Sequence, residues 1–230
     1  MAEFYGRYES EAELASRLST LSSTHRQAAR DAMGDPPDPK RFGEGFWLQV
    51  QKELENELAA VLLLVFAGSA FAHRLSQSQS DALSRAAQDF AIRQGIRASS
   101  QIVQTSRDRF TTLADRYAEL ERRTGSPPPE HLVQGDLVTV FGPDRAAGIA
   151  ITEVTAAQSA GSEWATRVGG LQSEQDIWFT EMDGRVCEIC APLHSLSRSE
   201  WQFRHPSGPP AHPRCRCWIQ YDFERVGASS

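Results

Sequence analysis

The sequence predicts an α+β fold, in which a mainly helical N-terminal region precedes a small α+β domain with a short antiparallel sheet. Three observations lead to this prediction. Apolar residues recur at helical spacing through most of the first 124 residues, and a triple proline follows soon afterwards. Further along, two short segments with the alternation typical of strands flank a loop. That loop contains all four cysteines of the chain.

Length and charge exclude some classes of protein. A chain of 230 residues is long enough for one large domain or two small ones with a buried core. Its formal net charge of −6 argues against a protein that coats its whole surface with nucleic acid. The segment Met1–Arg7 has no apolar stretch behind a basic start, so we expect no secretory signal and reduced cysteines.

The first helix is predicted between a capping box and a proline-rich turn. Ser10 and Glu13 have the spacing at which a serine caps free amides while a glutamate three residues later reaches back. Three leucines at helical spacing follow and form one apolar stripe. The prolines of residues 34–39 end this helix, because proline has no amide hydrogen and blocks the preceding turn.

A second helix is predicted from Glu44, and it has no charged residue over the 15 positions of Leu58–Ala72. A membrane-spanning helix needs about 20 apolar residues, and no lysine or arginine cluster flanks this segment closely on one side. We therefore expect a helix that is buried on all faces, in the protein's own core or against a partner, and no membrane contact. A membrane-tethered protein is the alternative.

Two more helical segments are predicted between Ser80 and Arg123, with a break or bend near Gly95. The second segment carries five arginines, which are Arg107, Arg109, Arg116, Arg122 and Arg123. Acidic residues are interleaved with these arginines at the i,i+3 and i,i+4 spacings of a solvated helix face. The pattern therefore does not indicate a phosphate-binding surface.

The clearest boundary in the chain is the segment Thr124–Pro129, whose consecutive prolines favour a stiff extended connector. Residues 1–124 are predicted to form a helical arm or bundle. Residues 125–144 are predicted to be a linker with short strands, because apolar and polar residues alternate around a turn at Gly135. Residues 145–230 are predicted to form the second domain.

The second domain is predicted to begin with a helix and to continue with two strands. The helix covers about residues 145–161, with Gly161 as its C-terminal stop and Glu153 on its solvated face. Asp176–Met182 is predicted to be a strand that leads into a turn, and Cys217–Phe223 alternates as a second strand. If these strands pair, the two ends of the cysteine-containing loop come together.

The loop between the predicted strands has the composition of a metal site. Its cysteines form two close pairs, Cys187-x-x-Cys190 and Cys215-x-Cys217, and three histidines lie between them. Two close ligand pairs separated by a loop suit a tetrahedral ion, which closes the loop when four side chains bind it. The sequence therefore predicts a structural zinc ion that is bound by Cys187, Cys190, Cys215 and Cys217.

The fourth ligand position has a second candidate. His212 lies three residues before Cys215 and is the alternative to Cys217. His194 and His205 are expected at the surface or around the ligands. The cysteines are also compatible with two disulfides or with a redox-active Cys-x-x-Cys, but the first lacks a secretory context and the second needs no further cysteine pair. A site with four protein ligands has no open coordination position, so this zinc would be structural.

The same loop also contains aromatic and basic residues. Ser197 and Glu200 form a second capping-box pattern, which predicts a short helix whose Trp201 and Phe203 cover the metal site. The region has an excess of arginines over acidic residues, and these arginines are Arg185, Arg198, Arg204, Arg214 and Arg216. Such a patch could contact an acidic protein surface or DNA.

The C-terminal third contains a combination of motifs that resembles a known family. The motifs are Ile151-Thr-Glu153, residues 156–161, Trp178-x-Thr180, Asp183-x-Arg185-Val-Cys187-x-x-Cys190 and His212-Pro-Arg-Cys215-Arg-Cys217. Over about residues 145–221 the chain resembles the phage head morphogenesis family, the Mu F-like minor capsid proteins of tailed bacteriophages and prophages. The helix motif alone is weak evidence, whereas the two cysteine motifs together are specific.

The resemblance implies a virion protein without enzymatic activity in this module. It would be a minor head protein that is made in the host bacterial cytoplasm and is located at the portal vertex of the capsid. It would support head assembly or DNA delivery, with the portal protein or the major capsid protein as partners and packaged DNA as a further contact. The role of the N-terminal helices as a portal- or capsid-contacting arm depends on the family alone. The alternative is a nucleic-acid-binding protein or a zinc-supported nuclease, in which His205 or His212 activates water.

Overall fold

A computed structural model describes residues 6–71, 75–184 and 186–222 of the chain. The fold is mainly helical with a two-stranded antiparallel sheet near the C-terminus, which confirms the predicted α+β class. The elements in chain order are α1 (Arg7–Met33), α2 (Glu44–Phe71), α3 (Gln77–Thr124), α4 (Glu130–Val140), α5 (Pro143–Val168), β1 (Ile177–Phe179), α6 (Arg198–Trp201) and β2 (Trp218–Gln220).

Helices α1 to α5 share one hydrophobic core. Helix α2 packs against both α3 and α5, and α1 lies against α2 and α5. Leu14 and Leu18 from α1, Leu58 and Leu62 from α2, and Val154 from α5 are buried in this core. The core therefore extends across the boundary predicted after α3 and includes the first helix of the predicted second domain.

Two predicted features of the helices are wrong. Helix α1 begins at Arg7, before the predicted cap at Ser10, and the Arg7 side chain is buried. Helix α3 is a single helix of 48 residues that continues through Gly95. Gly95 lies where α3 approaches α2, since a Cβ atom there would be 3.3 Å from the carbonyl oxygen of Glu55. The glycine thus permits close helix packing and does not break the helix.

The extended pair predicted over residues 132–141 is also wrong, because this segment forms helix α4. Val133, Leu137 and Val140 are buried at the i, i+4, i+7 spacing of one helix face. A short segment of alternating apolar residues satisfies strand and helix patterns equally well. The apolar face of α4 packs against α1, α3 and α5, and this packing stabilises the helix.

Helix α2 contains the uncharged segment and is only partly enclosed. Within the described ranges it is the one helix that is long and apolar enough to cross a membrane by length and composition, and 44% of its most apolar window is buried. The protein's own core does not bury all faces of α2, since Leu64 is 65% exposed and Phe71 is 59% exposed, and burial of this face against a partner stays a prediction. Ala72, the last residue of the uncharged segment, lies outside the described residues.

Helix α5 is longer than predicted, and the environment of its Glu153 side chain differs from the predicted one. It continues beyond Gly161 to Val168. A Cβ atom at Gly161 would be 2.3 Å from the carbonyl oxygen of Phe66, so this glycine allows α5 to approach α2. Glu153, predicted on the solvated face, is buried, and its Oε2 accepts a hydrogen bond of 2.6 Å from Gln94 Nε2. Burial raises the pKa of this carboxyl group.

The described residues after α5, 171–184 and 186–222, form a compact unit that we call the cysteine module. Strands β1 and β2 pair in antiparallel register, with Trp178 opposite Ile219, as the sequence predicts. Trp178 and Trp201 pack edge to face at a centroid distance of 5.7 Å in a second core that also contains three of the cysteines. The short helix α6 forms where the capping-box pattern predicts it, but Phe203 is 84% exposed and does not cover the site. Phe223, predicted in the second strand, lies outside the described residues.

Candidate metal centre

The cysteine and histidine ligands are presented by two tight turns that face each other. In the first turn, the amides of Cys190 and Ala191 donate to the carbonyl oxygen of Cys187 at 3.1 and 2.9 Å. In the second, the amide of Cys215 donates to the carbonyl oxygen of His212 at 3.1 Å. The chain enters the first turn after β1 and leaves the second turn into β2. Because β1 and β2 pair, residues distant in sequence converge at one end of the sheet.

The ligand atoms form two sets of three that share Cys190. Cys187, Cys190 and His212 form one set, and Cys190, Cys215 and Cys217 form the other, with the ligand atoms of each set within 4.8 Å of one another. The Nε2 atom of His212 lies 3.0 Å from the sulfur of Cys187 and 2.9 Å from that of Cys190. The sulfurs of Cys190 and Cys215 are 3.8 Å apart. These residues could hold a metal ion.

Three of the separations can be compared with those of a tetrahedral site. A zinc ion keeps sulfur and nitrogen ligands about 3.5 to 3.8 Å apart, given its usual bond lengths. The distance of 3.8 Å between the sulfurs of Cys190 and Cys215 already lies in this range. The imidazole of His212 would have to move about 0.5 Å away from the sulfurs of Cys187 and Cys190 to reach it. Thiolates and imidazole suit zinc and other borderline or soft ions, whereas magnesium and calcium prefer oxygen ligands. The donor set therefore fits zinc.

All five residues named as possible ligands thus come together, whereas the other two histidines of the loop belong to neither set. His194 accepts a hydrogen bond of 3.2 Å at Nδ1 from the amide of Thr180. His205 packs against the ring of Trp178 at a centroid distance of 5.4 Å. Both histidines therefore contribute to the module through contacts that do not involve the ligand sets.

The thiols have very different acidities. The hydrogen bond from Cys217 lowers the pKa of Cys215, and this effect outweighs the opposing effect of burial. The same hydrogen bond raises the pKa of Cys217, and burial raises that of Cys190. Of these three thiols, Cys215 therefore loses its proton most readily. Binding a metal ion requires deprotonated ligands, so it would release protons and would strengthen as the pH rises.

Helix α5 fixes the second ligand turn through side-chain hydroxyl groups. Thr155 is completely buried and its Oγ1 donates to the carbonyl oxygen of Cys215 at 2.8 Å. One turn earlier, Thr152 Oγ1 accepts a hydrogen bond of 2.8 Å from the amide of Arg214. The Arg7 guanidinium donates to Thr155 at 3.1 Å and to the carbonyl oxygen of Arg216 at 3.1 Å. Helices α1 and α5 therefore position the ligand turn directly. Of these positioning residues, Thr152 belongs to the motif Ile151-Thr-Glu153 noted in the sequence, whereas Thr155 and Arg7 belong to none of the motifs.

A buried carboxylate organises the other side of the module. Asp176 is completely buried, and its Oδ2 lies 3.0 Å from Arg198 Nη2. The same guanidinium bonds to both carboxylate oxygens of Glu163 on α5 at 3.0 and 2.8 Å. Trp201 Nε1 donates to the backbone carbonyl of Asp176 at 3.2 Å. This network joins α5, β1 and α6, and no part of it was predicted from the sequence.

The positive patch expected on this region is largely neutralised. Arg198 pairs with two carboxylates as described above, Arg214 lies 2.6 Å from Asp144, and Arg216 lies 2.7 Å from Asp183. Arg185, another member of the expected patch, lies outside the described residues. Most of these arginines hold the module together, so their number does not indicate a DNA-binding surface.

The space among the ligands is of a size that suits an ion. The cavity lined by Cys187, Cys190, His212, Cys215 and Cys217 has a volume of about 20 Å³. A water molecule already needs about 10 to 15 Å³ on the same measure. The cluster is therefore a place where a metal ion can be bound, with little room for a reacting molecule beside it. Comparison with protein-family models, with curated proteins and with solved structures gives no match for this chain.

Proposed function

We propose that the cluster binds one structural zinc ion through Cys187, Cys190, His212 and Cys215. The choice of His212 over Cys217 rests on its ring geometry. His212 Nδ1 lies 2.6 Å from the carbonyl oxygen of Pro213, which can only accept, so Nδ1 carries the hydrogen. The Nε2 lone pair is then free and faces the two sulfurs of the first turn, which is the usual arrangement of a metal-binding histidine.

Cys217 has a different role in this proposal. Its thiol donates to Cys215, and hydrogen bonds of this kind tune the charge on a metal-bound sulfur. Four protein ligands would then fill the coordination sphere, so the zinc would have no open position for water or substrate. The ion would tie the turn after β1 to the turn before β2, and would act as a structural cross-link.

We further propose that the protein is a minor capsid protein of a tailed bacteriophage or prophage, and that it is not an enzyme. The observation that carries this proposal is the convergence of the two motifs on which the resemblance depends, 183–190 and 212–217, in one cluster. In this proposal the protein associates with the portal protein or with the inner capsid and supports head assembly or DNA delivery. The helical core α1 to α5 would supply the surface that binds the portal protein or the inner capsid, and the cysteine module would contribute the remainder of that surface.

A deletion of the gene in the phage or prophage that carries it tests the proposed role. We expect the yield of infectious particles to fall at least tenfold, and we expect the protein in purified particles at a few copies each, as mass spectrometry would show. Restoring the wild-type gene should restore infectivity, and so should the Arg123→Gln variant, which alters only an exposed side chain. Unchanged yield together with absence from the particles would refute the proposal, as would metal-dependent nuclease activity of the purified protein.

A further inference from the structure

A long groove runs between α3 and α5 on the side of the helical core next to the second ligand turn. It has a volume of about 950 Å³. One wall is a single face of α3 from Ala98 to Arg116, a distance of about 27 Å at 1.5 Å per residue. The opposite wall consists of residues of α5 from Asp144 to Glu153, and the C-terminal half of α4 closes the side. A groove of this length between two helices is of the size that accommodates a third helix.

The walls of the groove are mainly apolar but carry four arginines. Ile102, Leu113, Val138 and Ile149 provide apolar surface, and Val138 is 44% exposed. The arginines are Arg109, Arg116, Arg145 and Arg214. Two of them are already neutralised, because Arg116 pairs with Asp136 and Arg214 pairs with Asp144.

The other two arginines have no anionic partner among the described residues. Arg109 donates to the carbonyl oxygen of Thr139 at 2.7 Å. Arg145 is partly buried and donates to the carbonyl oxygens of Val140 and Ile102 at 2.6 and 3.0 Å and to Ser106 Oγ at 2.8 Å. Burial and the neighbouring charge of Arg109 lower the pKa of Arg145 to about 10. Two guanidinium groups thus repel each other, and the carboxylates that line the groove are engaged elsewhere: Asp136 and Asp144 pair with the other two arginines, and Glu153 bonds to Gln94.

Charge complementarity indicates what would occupy this groove. We infer that it binds an amphipathic helical segment of a partner protein that places at least one carboxylate against Arg109 and Arg145 and apolar side chains against the groove walls. The carboxylate would supply the missing counter-charge in a bidentate arrangement that arginine favours. Duplex DNA is a poorer occupant, because two of the four arginines are already neutralised and the apolar residues of the walls offer nothing to a phosphate backbone. The inference does not depend on the proposed virion role.

The second ligand turn lines part of the groove, so the candidate metal centre lies next to it. Pro213 and Arg214 line the groove and lie between His212 and Cys215. The Arg214 side chain lies over Gly148, where a Cβ atom would be 2.7 Å from its Nε atom. Gly148 therefore leaves the space that this side chain occupies. Ordering of the ligand turn by a bound ion would keep this part of the groove wall in a shape ready for the partner.

A peptide-display experiment tests the inference. A library of random peptides about 18 residues long is selected for binding to the full chain loaded with zinc. We expect the enriched peptides to share apolar residues at i, i+3, i+4 and i+7 together with at least one Asp or Glu. Arg109→Gln should weaken binding of an enriched peptide at least tenfold, as measured by fluorescence anisotropy, and changing the acidic residue of the peptide to its amide should cause a similar loss. The Arg109→Gln variant should no longer distinguish the two peptides: the peptide whose acidic residue is changed to its amide should bind no more weakly than the original acidic peptide.

The controls separate binding from folding. Arg123→Gln, on the same helix but outside the groove, should leave affinity unchanged. Arg145→Gln should also weaken binding at least tenfold, and its melting temperature shows whether the fold is preserved. The inference fails if no peptide is enriched, if the enriched peptides lack acidic residues, or if Arg109→Gln leaves affinity unchanged. Displacement of the peptide by a short DNA duplex would also overturn it, because it would identify a phosphate-binding groove.

Discussion

Replacing Cys190 by serine is expected to unfold the cysteine module while helices α1 to α5 keep their helical content. Cys190 is 4% exposed and is the one residue common to both ligand sets, so any tetrahedral ion at this cluster depends on it. Structural zinc contributes about 10 to 16 kcal/mol of binding free energy in small zinc domains, which exceeds what this module's small core can replace. The near-ultraviolet circular dichroism of Trp178 and Trp201 should collapse, whereas the far-ultraviolet helical signal should largely persist.

Cys217→Ser is the matched control for this substitution. If His212 is the fourth ligand, this variant should keep its metal ion and its near-ultraviolet signal, with a smaller loss of stability from the missing hydrogen bond to Cys215. If the four cysteines are the ligands, Cys217→Ser should behave like Cys190→Ser. An intact cysteine module in the Cys190→Ser variant would contradict the proposed metal cross-link in either form.

Replacing Asp176 by alanine is expected to lower the free energy of unfolding by about 3 to 5 kcal/mol. Asp176 is completely buried and accepts hydrogen bonds from Arg198, from the amide of Ser173 at 3.1 Å and from the amide of Asp222 at 2.9 Å. Its removal would leave a mostly buried guanidinium without one of its partners and two backbone amides without their acceptor. Chemical denaturation followed by tryptophan fluorescence measures this loss.

Two variants calibrate the Asp176 result. Asp176→Asn removes the charge and keeps one carbonyl oxygen, which can accept from only one of the two amides, since these bond to different oxygens of Asp176; it should still be less destabilising than alanine. Glu13→Ala breaks the exposed pair with Arg17, in which both side chains are about half exposed, and should cost far less than Asp176→Ala because water screens such a pair. A loss for Asp176→Ala no greater than that for Glu13→Ala would show that the buried network does not stabilise the module.

Much of the fold could be predicted because it depends on local patterns. The apolar stripe of α1, the start of α2 at Glu44 and the capping box of α6 are properties of a few neighbouring residues. The pairing of β1 with β2 followed from the position of the cysteine pairs at both ends of one loop. The convergence of the five ligand residues followed from the same pairing, so the sequence indicated the site as well as the sheet.

The features that could not be predicted depend on contacts between distant segments. Gly95 and Gly161 resemble helix breakers in the sequence, but each lies where a neighbouring helix approaches closely. Segment 132–141 satisfies both helix and strand patterns, and only packing against three other helices selects the helix. Glu153 has the sequence context of a solvated residue, and its burial against Gln94 is visible only in the folded chain.

The same reasoning applies to the arginines of α3. Their spacing relative to acidic residues indicates a solvated face, and Arg122 indeed pairs with Glu119 on that helix. Arg109 and Arg116 instead line the groove, because α5 and α4 pack beside α3 and form its other walls. Which arginine keeps an uncompensated charge depends on where Asp136 and Asp144 fall on those other helices. That information is not local to α3.

The metal content and coordination of the purified protein test the central claim most directly. We predict one zinc ion per chain, with X-ray absorption showing three sulfur ligands at about 2.3 Å and one nitrogen ligand at about 2.0 Å. This result would match binding by Cys187, Cys190, His212 and Cys215, which belong to the two ligand sets that share Cys190. Protein that is prepared under reducing conditions, contains no zinc and takes up none when zinc is added would contradict the proposed site. Cysteines that pair as disulfides instead of binding zinc would contradict it as well.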